Sequence, residues 1–153
     1  MVSIKWCKGK EKGVSLGEQN SNLSKEYLQS AEETLIELKE SKESNMWKAT
    51  KKYYFEYFLA YSFLMKVGIK CEIHDCTIEL CKFLEKQGLF LGGFAKKLEE
   101  DKELRIDNQY YLKNIKVQID YQESLSLFLD FKNFLSSLTN EKIIEIREAV
   151  EKC

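Results

Sequence analysis

The sequence predicts an all-α protein, an up-and-down bundle of four main helices followed by a short C-terminal helix, and three observations carry that prediction. Apolar residues recur at three- and four-residue steps through most of the chain, as one buried face of an α-helix requires. No segment alternates apolar and polar residues over the length of a strand, and no glycine-rich phosphate loop leads into a lysine. The chain has no proline, so its helix ends are written in Gly, Ser and Asn. With 153 residues, 44% of them apolar, and nine Phe, eight Tyr and two Trp, it has the size and the material for one core.

A polar, glycine-containing lead, residues 1–22, precedes the bundle domain of 23–153. Ser24 is the expected cap of the first helix, whose Leu28, Ala31, Leu35 and Leu38 form one stripe, with Glu32, Glu33, Glu37 and Glu40 on the opposite face. The polar stretch Ser41 to Asn45 breaks it. Asn45 is the expected cap of a second helix running to Val67, and Gly68 ends that helix. From Tyr53 to Met65 this helix is apolar nearly all round, which calls for contacts on several sides and fits a central position plus a dimer face. A third helix fits Ile73 to Lys86, with Ile73, Cys76, Leu80 and Leu84 inward and a loop at Gly88–Gly93. Leu104, Asn108, Tyr111 and Ile115 step as a fourth helical segment would, with helix and loop both open beyond Lys113. The last long helix spans Tyr121 to Leu138 through Phe128, Phe131 and Leu135, and Glu141 to Lys152 forms the terminal helix on Ile143, Ile146 and Val150.

Twenty-four basic and 25 acidic residues leave a net charge of −1, so no global positive field draws the chain to nucleic acid or to a membrane, and any such site must be local. Lys5, Lys8, Lys10, Lys12 and Trp6 offer one such patch in the lead, against the plainer reading of a solvated extension. The longest apolar stretch, Tyr53 to Met65, contains Glu56 and is too short to span a bilayer, and no signal peptide is evident; a cytoplasmic protein is expected. Cys71, Cys76 and Cys81 recur every five residues around His74. Each step turns the side chain by about 140° on a helix, so the three cannot meet at one ion. Reduced thiols, and neither metal nor cofactor, are expected.

Taken in order, Ser30-Ala31-Glu32-Glu33, Lys51-Lys52-Tyr53-Tyr54-Phe55, Gly68-Ile69, His74, and Arg105 with Tyr110 resemble the small stand-alone prokaryotic members of the HEPN family (higher eukaryote and prokaryote nucleotide-binding) over Leu23 to Leu138. In that family the second helix commonly reads Arg-Ala-Tyr-Tyr-Ala, a His follows the glycine turn, and an Arg opens a short motif ending in Tyr or His. The resemblance implies a bundle that forms a homodimer. The activities it implies range from metal-independent RNA cleavage by the toxins of toxin–antitoxin pairs to non-catalytic roles beside a minimal nucleotidyltransferase partner.

In the catalytic members an Arg is followed after four to six residues by His. Arg suits phosphate because its planar fork holds two oxygens, and His suits proton transfer because it titrates near neutrality. Here Tyr110, Tyr111 and Leu112 stand where that His should be, and a phenol is a poor base at neutral pH. Arg105, Tyr110 and His74 are therefore the candidate catalytic residues of a degenerate site, with His74 contributing only if the fold brings it near Arg105. Lys51, Lys52, Tyr54, Asn108 and Gln109 are the candidate nucleotide- or RNA-binding residues; Asn108 and Gln109 are helical neighbours of Arg105, whereas Tyr110, five residues on, should point about 140° away. The competing role for Arg105 is an ion pair with Asp101 or Asp107. The expectation is a binding module for RNA, a nucleotide or a nucleotidyltransferase, with a metal-independent ribonuclease as the alternative.

Overall fold

The computed structural model describes residues 2–153 and is an all-α bundle with one two-stranded bridge. The elements in order are α1 (Ile4–Lys8), β1 (Ser15–Leu16), α2 (Ser21–Lys39), α3 (Asn45–Val67), β2 (Ile69–Lys70), α4 (His74–Lys86), α5 (Phe94–Gln109), α6 (Tyr121–Ser137) and α7 (Asn140–Lys152). Among these residues no helix is long and apolar enough to cross a membrane.

Helix α3 is the axis. It packs on α2, α5, α6 and α7, and Tyr53, Phe55, Leu59, Phe63 and Leu64 are fully buried. Its all-round apolar character thus has an explanation within a single chain. The stripes read from sequence on α2, α4, α6 and α7 are largely the buried ones: Ala31, Leu35 and Leu38; Cys76, Leu80 and Leu84; Phe128, Phe131 and Leu135; Ile143, Ile146 and Val150, whereas Leu28 is half-buried and Ile73, also half-buried, stands just before α4.

Two caps differ from those expected, and in both a residue earlier in the chain takes the role. Asn20 accepts from the Leu23 N–H at 2.9 Å, which starts α2 a turn early, while Ser24 is buried and donates to the Ser62 carbonyl at 2.6 Å. Ser44 caps α3 through the Trp47 N–H, freeing Asn45 to hold the loop after α5: its Oδ1 accepts from Val117 N and its Nδ2 donates to Asn114. The fourth helix also begins earlier than Leu104 and stops at Gln109, so Tyr111 and Ile115 lie in an exposed loop. Asn108 ends the pattern by accepting from the Ile115 N–H at 2.6 Å.

The N-terminal lead is not a solvated extension. Cys7 is fully buried and disulfide-bonded to Cys76 on α4, which also corrects the expectation of reduced thiols throughout. Val14 joins the core, and β1 pairs antiparallel with β2, Leu16 opposite Ile69. Lys8 donates to the carbonyls of Val150, Glu151 and Cys153 at 2.8–2.9 Å, closing the C-terminal end of α7. Lys8 therefore has a structural task and Lys12 pairs with Glu72 at 3.6 Å, so the basic patch considered for the lead loses two of its four lysines.

Gly68 ends α3 in the left-handed region, φ +75°, where a Cβ would lie 2.4 Å from Arg147 Nη1 and 2.8 Å from the Gly17 carbonyl. Arg147 uses that nitrogen to bind the Gly17, Val67 and Gly68 carbonyls at 2.8–3.0 Å. Gly68→Ala is expected to cost at least about 2 kcal/mol, from the backbone penalty plus the displaced arginine; urea unfolding would measure it, and an unchanged midpoint would contradict this account of the turn.

Candidate functional site

Helix α3 brings Tyr53, Tyr54 and Tyr57 to one side because residues three and four apart share a helix face. The α4 start presents His74 to them and α5 presents Arg105. His74 stacks on Tyr57 with ring centres 4.1 Å apart, and its Nδ1 is 2.7 Å from the Tyr53 hydroxyl. The Arg105 guanidinium lies over the Tyr53 ring at 4.6 Å and over Tyr54 at 5.5 Å, a cation–π arrangement on two faces.

The decisive feature is what Arg105 lacks. Asp101 pairs with Lys52 at 3.1 Å and Asp107 with Lys113 at 3.0 Å, so neither carboxylate expected to neutralise Arg105 does so. Among the described residues Arg105 has no ion pair. Its one hydrogen bond is a long donation from Nη1 to the Tyr54 hydroxyl at 3.5 Å, and its buried Nε has no partner. A side chain with five N–H donors, 9% exposed, thus has most of its donor capacity unused. An anion supplies what such a group lacks.

Burial lowers the pKa of His74, and the charges of Arg105 and Lys102 lower it further against the opposing effect of Asp75, so the imidazole is neutral at pH 7. Either tautomer fits the Tyr53 pair: Nδ1 accepting leaves an Nε2–H donor, and Nδ1–H donating leaves Nε2 as a base. Burial raises the pKa values of Tyr53 and Tyr57, which remain neutral phenols.

Of the residues expected from sequence, Arg105, His74 and Tyr54 come together. Tyr110 does not: it ends α5, is 64% exposed and points away from Arg105, as five residues on a helix dictate. Lys51 is held by Glu37 and Glu43 at 3.3 and 2.8 Å, and its hydrogen bond to Glu43 raises its pKa. Lys52 is committed to Asp101, and Asn108 is committed to the backbone at both ends of its amide, donating to Leu104 and accepting from Ile115. None of these three is free for phosphate. Gln109 is half-buried with its Oε1 unpartnered. Tyr57, the ring on which His74 lies, was not singled out, although its spacing from Tyr53 and Tyr54 placed it on their face.

One turn before Arg105, α5 carries a second unusual group. Glu56 of α3 is fully buried, neither of its oxygens has a hydrogen-bond partner among the described residues, and Oδ2 of the neighbouring Asp101 is likewise unpartnered. Burial foremost, then the neighbouring Asp101 carboxyl, raises the Glu56 pKa well above the ordinary value, with Lys97 and Lys52 opposing. A carboxyl whose folded pKa is raised keeps its proton in the native state while the unfolded chain has lost it. Stability is therefore full below the ordinary Glu value and falls as pH rises above it, by at most about 1.4 kcal/mol per pH unit. Glu56→Gln is expected to flatten that decline above the ordinary Glu value; urea midpoints falling equally in both proteins would contradict the raised Glu56 pKa.

No protein-family model matches this chain, and no curated protein is significantly similar to it.

Proposed function

We propose that this protein is a HEPN-like binding module that holds a phosphate-bearing ligand, RNA or a nucleotide, on Arg105. The observation that carries the reading is the charge-unpaired, ring-stacked guanidinium, whose donors match two phosphate oxygens. Two neighbours add to it. His74, as the Nε2–H tautomer, supplies a further donor, and α4 begins at His74, so the positive end of its dipole lies beside the site. The half-buried Tyr54 ring offers a face on which a base can stack. In this reading the protein acts as a homodimer or beside a minimal nucleotidyltransferase.

A second reading, metal-independent RNA cleavage, is favoured by one specific observation: a neutral His74 shares the tyrosine cluster with Arg105. As the Nδ1–H tautomer it is suited to take the ribose 2′-hydroxyl proton while Arg105 stabilises charge on the phosphate. End-labelled structured RNA in excess chelator, with light scattering to fix the oligomer, separates the two. Retention of intact RNA is the expected result, and cleavage with product release would move the assignment to ribonuclease. Failure to bind RNA or any nucleotide would overturn both.

A further inference from the structure

On the other side of α3, three lysines from three helices converge on one cavity. Lys25 of α2, Lys66 of α3 and Lys132 of α6 line a space of about 390 Å³, and no Asp or Glu lines it with them. None of the three is ion-paired among the described residues, in a chain where nine other lysines are. Glu32 and Glu33 line the adjoining groove, which Lys25 and Lys132 also border, without coming within ion-pair distance of either. Lys66 is half-buried and fixed by one donation to the Leu135 carbonyl, which leaves two of its N–H donors. Like charges gathered with no counter-charge repel, and an anion relieves them.

We propose that this cavity is a binding site for a small phosphomonoester. The three ammonium groups suit a doubly charged head better than a single carboxylate. The Ser21 hydroxyl, which has no partner among the described residues, and the opening turn of α2 add donors at the same end. Leu28 and Leu135 give an apolar wall for the organic part of the ligand, and the volume falls in the range of about 300–1,000 Å³ usual for small-ligand sites. The site is separate from Arg105. Tyr54 and Lys66 are twelve residues apart on α3, about 18 Å along its axis.

The test is a site-resolved NMR titration of the full chain with AMP and with a 5′-phosphorylated trinucleotide, adenosine serving as the phosphate-free control. Amides of residues 21–28 and 132–136 are expected to shift with the phosphorylated probes and not with adenosine. Lys25→Gln with Lys132→Gln should weaken the binding read at those amides at least about tenfold, whereas Arg105→Gln leaves it unchanged. Both lysines are exposed, so the double variant keeps its fold, which its amide spectrum would verify. Binding by either phosphorylated probe bears the proposal out, and the tighter of the two tells a free nucleotide from an RNA end. It is overturned if those amides stay still, if adenosine shifts them equally, if the lysine variant binds as well as the parent, or if Arg105→Gln abolishes the effect.

Discussion

Arg105→Gln is expected to weaken binding of RNA or nucleotide at the tyrosine cluster about 100-fold while leaving the protein folded. Removing a largely desolvated charge from its ligand contact costs about 3 kcal/mol, which is that factor in affinity. The fold should tolerate the change because among the described residues Arg105 forms no ion pair and only one long hydrogen bond, and Gln keeps much of the volume. What is lost internally is the contact with the Tyr53 and Tyr54 rings, about 1 kcal/mol. Arg105→Lys is expected to fall between, since it keeps the charge but not the planar fork. Tyr110→Ala should bind as the parent does, because its side chain is in solvent. Filter binding of the four proteins, with circular dichroism to verify the fold, decides the matter: parental affinity in Arg105→Gln would end the phosphate assignment. In the same series His74→Ala separates the two readings of the site. A modest loss of affinity fits a hydrogen-bond donor, whereas retained binding with loss of cleavage would identify a proton-transfer group.

Reduction of the Cys7–Cys76 bond is expected to lower the melting temperature by about 10 °C. The bond joins residues 69 apart, and closing a loop of that length restricts the unfolded chain by about 4 kcal/mol in the entropic account. In a chain of this size each kcal/mol is worth about 2–4 °C. The native structure should survive, since Lys8 on the α7 carbonyls, the β1–β2 pair and the buried Val14 still hold the N-terminal segment. Thiol titration gives an independent reading. Cys153 is exposed, whereas burial raises the pKa values of Cys71 and Cys81, so one thiol should react in the native protein, three in denaturant and all five after reduction. Five reactive thiols in denaturant without a reductant would show that the bond does not form in solution, and with it the predicted drop in melting temperature would disappear.

The all-α class, the buried stripes of α2, α4, α6 and α7, the central aromatic α3 and its stop at Gly68 were all legible in the sequence. Each depends on local periodicity or on the backbone freedom of one residue, and such signals lie within a few turns of the chain. The cap at Asn20 in place of Ser24 shows where this reach ends: both residues can cap, and a carbonyl on α3, 38 residues away, claims Ser24. The same limit applies to the candidate site. Sequence singled out Arg105, His74 and Tyr54 by type, but whether Arg105 was neutralised depended on the choices of Asp101 and Asp107, and those went to Lys52 and Lys113. Lys52 left the site for Asp101, 49 residues away, and Lys51 and Asn108 left it for partners eight and seven residues away, spacings that bring groups together only through a loop. The disulfide from the polar lead to α4 and the lysine cavity between α2, α3 and α6 were decided by tertiary packing alone, because a charge or a thiol at a given position constrains its partner only through three-dimensional distance.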